Sequence, residues 1–172
     1  MDTTQTQRKG VSRIMNQIHQ PSVAALLVGK TSRANELGIR LTLDRESGLS
    51  EDSDWLPSDA YVTILGNLIE NAIEVLNQSR SATKEIFVSI RENPDSLLLC
   101  VEDTGPGIPT VLRNTMFQRG ASTKGRHRGT GLSLVQEVVE AYHGDIRVES
   151  ESGVGTSFFI SFCREELPGE KE

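Results

Sequence analysis

The sequence predicts a two-layer α+β domain. Two observations carry this. Strand signals come in pairs, residues 86–90 with 96–101 and residues 146–149 with 157–162, and do not alternate steadily with helices. Ahead of the first pair lies one long, strongly periodic helix signal, residues 59–77. At 172 residues the chain is long enough for one such domain with a real core. Its 36% hydrophobic and 24% charged residues are those of an ordinary globular protein.

Element by element, residues 1–10 (MDTTQTQRKG) are polar and read as an unstructured start. Val11, Ile14, Met15 and Ile18 form an amphipathic turn or two up to His19, and Pro21 breaks it. A helix follows from Ser22 to Leu37, with Val23, Leu26, Leu27, Lys30 and Ala34 at helical spacing and Gly38 as its stop. Ile39, Leu41 and Leu43 alternate with polar residues as a strand, and residues 44–56 are a polar loop. The helix over 59–77 puts Leu65, Leu68, Ile69, Ala72, Val75 and Leu76 on one face. The turn Glu92-Asn93-Pro94-Asp95 separates the first strand pair. Residues 104–130 are rich in glycine, polar and basic residues without a period. Long loops of this kind inside a compact domain are usually functional lids, so residues 109–130 are expected to be the most mobile ordered segment. A helix from Gly131 to Tyr142 ends at His143-Gly144, and the last two strands flank Gly153 and Gly155. The expected partition is a start over 1–21, a folded domain over 22–163 and a polar tail over 164–172.

A net charge of −6 argues against a broad nucleic-acid footprint, while leaving room for a local basic pocket. Cys100 and Cys163 lie in apolar runs without metal-ligand spacing and read as buried free thiols in a reducing compartment. No run approaches the ~18 apolar residues that span a membrane. The chain is therefore expected to be soluble, whether or not it belongs to a longer membrane protein.

Three clusters carry chemistry. Thr63, Asn67, Glu70, Asn71 and Glu74 form a polar stripe on the long helix, with Asn67 and Asn71 one turn apart. Amide and carboxylate oxygens so aligned suit a hard cation such as Mg²⁺; taken alone, the stripe reads more simply as the solvated face of an amphipathic helix. Asp103-Thr104-Gly105-Pro106-Gly107-Ile108 follows a strand directly. Its glycines admit close approach of a flat ligand, and its carboxylate can accept from an exocyclic amine; a plain strand-ending turn is the other reading. Ser122-Thr123-Lys124-Gly125-Arg126-His127-Arg128-Gly129-Thr130-Gly131 puts three cations, two hydroxyls before them and three glycines at a helix start, where anions bind. It is neither a Walker A loop nor a dinucleotide fingerprint; a flexible basic loop is the bland alternative.

Together and in this order the clusters resemble the motifs of the GHKL ATPases, the superfamily of gyrase, MutL and sensor histidine kinases. Asn67-Leu68-Ile69-Glu70-Asn71-Ala72 resembles the N box. Asp103-x-Gly105-x-Gly107 resembles the first glycine box and Met116-Phe117 the F box. Gly129-Thr130-Gly131-Leu132 resembles the second glycine box, and Gly153-x-Gly155-Thr156 a further glycine motif. The resemblance covers about residues 22–163. It implies the Bergerat fold, a mixed and mostly antiparallel sheet with helices on one face. Asn67 stands where gyrase-type ATPases carry a water-activating glutamate, so the resemblance is to the histidine kinases. The stretches Ala24–Lys30, Gly66–Ala72 and Arg119–Gly125 are similar to sensor kinases for citrate and four-carbon dicarboxylates.

The resemblance implies ATP and Mg²⁺ as ligands. Asp103 would accept from the adenine amino group, Asn71 would ligate Mg²⁺, and Asn67 would lie beside the phosphates. Gly105, Gly107 and Ile108 would line the base pocket, with Thr156 helping to hold the base. Ser122, Thr123 and Lys124 would sit on the lid, with Gly129, Thr130, Gly131 and Leu132 closing over the phosphates. Asn67, Glu70 and Lys124 are the candidate catalytic residues, Glu70 being the carboxylate that could partly replace the missing base. Glu74 and Val75 depart from the family, which commonly has lysine and an aromatic there, so Lys124, Arg126 or Arg128 would supply the phosphate charge. None of His19, His127 and His143 resembles the phosphorylated histidine; His19 is followed by Gln20 in place of an acid. The implied partners are a histidine-bearing dimerisation domain, of which residues 11–19 would be the last turns, and a response regulator, with no nucleic acid. The implied location is the cytoplasmic side of an inner-membrane sensor. A degenerate nucleotide-binding regulatory module and an anti-sigma-factor type of serine kinase are the rival readings.

Overall fold

The computed structural model describes residues 3–113 and 129–164. Its start departs from expectation. Helix α1 spans Thr3–Gln17, covering polar residues expected to lack structure. Two side chains anchor it: Ile14 and Ile18 are 3% and 2% exposed and belong to the core. Most of its other side chains stand in solvent, so propagation from an anchored end sustains the polar turns.

The junction after α1 is tied to the loop before the long helix. Ile18 pairs with Leu49 in a parallel bridge, the Leu49 N–H donates to the Gln17 carbonyl at 3.0 Å, and the His19 N–H donates to the Leu49 carbonyl at 2.9 Å. The Gln17 side-chain Nε2 faces three backbone carbonyls of that loop, those of Asp44 (3.0 Å), Arg45 (3.0 Å) and Ser47 (2.8 Å). Helix α2, Pro21–Glu36, starts on the proline, whose missing N–H costs nothing at a first helical position. It ends in a Schellman turn: Gly38 takes φ +73°, its N–H donates to the Asn35 carbonyl at 3.1 Å, and the Ile39 N–H donates to the Ala34 carbonyl at 2.8 Å.

Strand β1, Arg40–Leu43, leads through the loop to α3, Ser58–Gln78. A hairpin of β2, Glu85–Glu92, and β3, Ser96–Asp103, follows. After the single turn α4, Thr110–Arg113, the described chain resumes at α5, Gly129–Ala141, two residues before the expected start. The chain closes with β4, Asp145–Glu151, and β5, Gly155–Cys163. The sheet order is β1-β2-β3-β5-β4, with only β1 and β2 parallel.

Alternation along the strands sorts the side chains. Ile86, Val88 and Ile90 with Leu97, Leu99 and Val101 and with Phe158, Ile160 and Phe162 are buried under α2, α3 and α5. From α3 the core takes Ile64, Leu65, Leu68, Ile69, Ala72, Ile73 and Leu76. Val75, expected among them, is only half-buried. On the other sheet face Phe87 and Leu98 are exposed, and the Arg147 guanidinium lies 4.7 Å over the Phe159 ring. This is the expected two-layer arrangement, helices on one side of a mixed sheet. The cysteines are both free. Both lie on the sheet face away from the core, Cys163 exposed and Cys100 half-buried, so neither is fully buried as expected; burial still pushes the Cys100 thiol pKa up to about 12.

Candidate functional site

The carboxyl end of β3 meets the β4–β5 turn. Asp103 is the last residue of β3, opposite Thr156 in the register. Its Oδ1 accepts the Gly105 N–H at 2.9 Å, and the carboxyl group also accepts the backbone N–H of Thr156. Burial pushes the Asp103 pKa above the usual carboxylate range, against the opposing pull of those two N–H groups.

Two glycines make the approach possible. Gly155 has φ +149°, and a Cβ there would fall 1.9 Å from the Asp103 carbonyl oxygen. Gly107 has φ +85°, and a Cβ there would fall 2.7 Å from the Glu151 carbonyl oxygen. Across the gap the Gly153 N–H donates to the Pro106 carbonyl at 3.0 Å. The Ile108 N–H donates to Ser150 Oγ at 2.7 Å, and Ser150 Oγ lies 3.0 Å from the Thr156 hydroxyl. Thr156 is buried and Ile108 half-buried. Asp103, Gly105, Gly107, Ile108 and Thr156 are thus brought together.

Helix α3 supplies the next wall. Val75 faces the turn, since a Cβ on Gly105 would meet its Cγ1 at 2.9 Å. Asn67 Nδ2 donates to the Thr63 carbonyl at 2.7 Å, which fixes the amide and directs Oδ1 elsewhere. That oxygen abuts the start of α5, where a Cβ on Gly131 would lie 3.0 Å from it. Asn71 is half-buried one turn further along α3, and Leu132 packs against the core.

Glu70 does not share this wall. At 100° per residue it points about 60° away from Asn67 and about 100° away from Asn71. Its Oε2 accepts Lys30 Nζ at 2.8 Å and its Oε1 accepts Arg33 Nη2 at 2.6 Å, with Arg33 Nε 3.1 Å from both oxygens. Burial alone would raise the Glu70 pKa, but the hydrogen bonds and charges of Arg33 and Lys30 together hold it below the usual range. The expectation of Glu70 as a substitute base is corrected on that ground: the carboxylate is committed to α2, and Lys30, expected on the apolar face of its helix, is one of its partners.

Ser122, Thr123 and Lys124 lie outside the described residues, as do Met116, Phe117, Arg119, Gly120, Gly125, Arg126, His127 and Arg128 and most of the expected lid. Gly129 and Thr130 open α5, and only their backbone is described. Among the described residues no group of three or more His, Cys, Asp and Glu could hold a metal ion. The oxygens on offer are amide oxygens of the Asn67–Asn71 wall, which suit a hard cation sharing its shell with water and ligand phosphates.

Sequence reasoning missed Ser150 and Arg113. The Arg113 guanidinium donates to the Ser150 carbonyl, drawing α4 to β4. Ser150 faces Thr156 across the last hairpin. Reading β4 to Glu151 instead of Glu149 would have brought the pair to notice.

Comparisons with known proteins bear on the family and the fold. Residues 57–166 match the family described as histidine kinase-, DNA gyrase B-, and HSP90-like ATPase. A probable C4-dicarboxylate sensor kinase of Halalkalibacterium halodurans is 38% identical over 160 residues, 92% of this chain and 30% of that protein. The sensor histidine kinase DcuS of Escherichia coli K12 is 38% identical over 160 residues, 93% of this chain and 29% of that one. The sensor protein CitS of Bacillus subtilis is 33% identical over 156 residues, 91% and 28%. The chain spans about 30% of the length of these relatives. Full-length ShkA in complex with AMPPNP superposes with a TM-score of 0.66 at 23% identity, over 86% of this chain and 31% of that one. The nucleotide-free catalytic domain of the histidine kinase ThkA gives 0.65 at 21% identity, over 83% and 92%. At such identities these two likenesses bear on the fold alone.

Proposed function

The chain belongs to the histidine kinase-, DNA gyrase B- and HSP90-like ATPases, and on that premise we propose that it is the ATP-binding catalytic part of a two-component sensor histidine kinase. The observation that carries this is the convergence of the Asp103 carboxylate, the Gly105–Ile108 turn and Thr156, walled by the asparagine-bearing face of α3 and the start of α5. The relatives named as dicarboxylate and citrate sensors support the same reading.

The residues present fit a nucleotide. Asp103 is a half-buried acceptor at a strand end, and the packed glycines let backbone come close to a flat ring. In this reading Asp103 accepts from the exocyclic amine of adenine, while Ile108 and Thr156 bound the base. Asn71 offers its amide oxygen to Mg²⁺ and Asn67 lies beside the phosphates. Gly129, Thr130, Gly131 and Leu132 present a helix start to their charge. Ser122, Thr123 and Lys124, which lie outside the described residues, would complete the enclosure, Lys124 as the cation that the N box lacks at Glu74. Bound Mg-ATP supplies the phosphoryl group; the chain supplies position and charge. Asn67 cannot deprotonate water, and Glu70 is a tether to α2, so the site is built to hold ATP for transfer and to hydrolyse it slowly.

The acceptor in this reading is a histidine on a dimerisation domain, with residues 11–19 as the closing turns of its last helix. His19 makes a poor acceptor, its Nε2 held 2.8 Å from the Asn16 carbonyl oxygen and followed in sequence by Gln20 in place of an acid. A response regulator would take the phosphate onward. The domain would sit on the cytoplasmic side of an inner-membrane sensor; among the described residues no helix is long and apolar enough to cross a membrane.

The test is transfer. Incubated with radiolabelled Mg-ATP, this chain alone should acquire no alkali-stable label, and addition of the dimerisation domain of the full-length protein should yield label on that domain's histidine. Nucleotide binding without transfer would favour the degenerate regulatory module, and label on a serine the anti-sigma-factor type.

A further inference from the structure

Ser150 stands where three segments of the site meet. It lies on β4 opposite Thr156 of β5. Its Oγ receives the Ile108 N–H at 2.7 Å from the turn after β3. The same oxygen lies 3.0 Å from Thr156 Oγ1 and 3.3 Å from the Gly155 carbonyl oxygen. Its own carbonyl receives the Arg113 guanidinium, the last residue described before Gly129.

A serine hydroxyl has one proton and two acceptor positions. Ile108 fills one acceptor position. The Gly155 carbonyl can only accept. If the Ser150 proton goes to Gly155, the Thr156 hydroxyl must donate to Ser150 and shows its lone pairs to the site. If the proton goes to Thr156, the Thr156 proton is freed toward the site. The proton direction at Ser150 and the donor or acceptor sense of the Thr156 hydroxyl are thus coupled, and the same oxygen holds the Ile108 amide.

We propose that Ser150 is a positioning residue for base recognition: through Ile108 and Thr156 it holds the two sides of the base pocket in register and sets the hydrogen-bonding sense of Thr156, so that adenine is selected over other purines without Ser150 touching the nucleotide. This rests on the reading of the site as an adenine-nucleotide site. Hypoxanthine, with a carbonyl in place of the 6-amino group, is the discriminating probe, because it sets an acceptor against the Asp103 carboxylate.

The experiment is calorimetric titration with Mg-ADP and Mg-IDP of the wild-type chain and the variants Ser150→Ala, Ser150→Thr and Thr156→Val, with thermal unfolding alongside. Ser150→Ala should weaken ADP binding about tenfold, the effect of one buried amide left without its partner. It should also narrow the preference for ADP over IDP, while Ser150→Thr keeps both near wild type. Ser150→Ala combined with Thr156→Val should bind ADP no more than about twofold worse than the weaker single variant, because the two act as one unit. If Ser150→Ala does not fold, Ser150→Cys, which keeps the volume with a weak donor, should narrow the ADP preference in the same way. An equal loss for ADP and IDP, or additive effects in the double variant, would overturn the proposal by reducing Ser150 to a structural contact. Asp103→Ala abolishing the ADP preference while Ser150→Ala leaves it intact would sink this inference and spare the nucleotide site; a wild-type chain that binds neither nucleotide would sink both.

Discussion

Replacing Gly131 by alanine separates stability from nucleotide binding. Gly131 lies in the first turn of α5, where alanine is favoured over glycine by at most about 0.5–1 kcal/mol, the value for a helix interior. For a domain of this size such a gain would raise Tm by about 1–4 °C. The new Cβ, however, lands 3.0 Å from Asn67 Oδ1, a few tenths of an ångström inside ordinary contact. Asn67 cannot swing aside freely, because Nδ2 is held by the Thr63 carbonyl at 2.7 Å. Either that bond, worth about 1 kcal/mol net, is broken or the amide oxygen is displaced from the site. A loss of about 1–2 kcal/mol in binding corresponds to roughly 5–30-fold weaker affinity for Mg-ADP or a non-hydrolysable Mg-ATP analogue. The expected result is an unchanged or raised Tm by circular dichroism with weakened binding by calorimetry. Wild-type affinity in the folded variant would refute the claim that the apposition of Asn67 and α5 shapes the site. A Tm that falls in step with affinity would assign the effect to folding.

Two further substitutions test the electrostatics. Asp103→Asn should weaken adenine-nucleotide binding by about 1–3 kcal/mol while stabilising the nucleotide-free chain at neutral pH. Because burial raises the Asp103 pKa, its contribution to stability is fully present below the unfolded value and is lost as pH rises through the folded one. The asparagine variant should therefore be the more stable at pH 7 and lose that advantage in acid; equal melting profiles from pH 4 to 8 would contradict it. Glu70→Gln should cost about 1 kcal/mol at pH 7, discounted for the exposure of Arg33. The lowered Glu70 pKa gives stability present above the unfolded value and lost as pH falls through the folded one, so the deficit should vanish in acid. Basal ATP hydrolysis should change only a few-fold, and a drop of about 100-fold or more would restore Glu70 as a base.

Much of the fold was legible because its signals are local. The period of α3, the alternation in the strands, Gly38 and the glycines of the turns each act within a few residues. The Asp103 cluster was legible for the same reason. What escaped depends on distant partners. Helix α1 is built on polar residues, and only the packing of Ile14 and Ile18 against a core formed some thirty residues later turns a weak local pattern into a helix. The polar stripe on α3 was drawn as one surface, yet Lys30 and Arg33 of α2 claim Glu70 and leave the two asparagines to the site. Cys163 reads as core from its apolar neighbours, but parity along β5 sends it to the face away from the core. Ser150 looks like one more polar residue of an edge strand until the hairpin register sets it against Thr156.

The three carbonyls gathered on the Gln17 amide bear on where the folding unit begins. The segment common to the family starts at residue 57, and the helix that opens the expected domain starts at Pro21. A chain trimmed to Pro21 would lack Ile14, Ile18 and Gln17 together. The carbonyls of Asp44, Arg45 and Ser47 would lose their shared donor, Leu49 its bridge partner, and the core two of its buried aliphatic side chains. Each aliphatic side chain is worth about 1.5–3 kcal/mol of burial, a large share of what holds a domain of this size together. The smallest piece that folds soundly therefore reaches back into α1, and fragments meant for binding or structural work belong with their first residue ahead of Ile14.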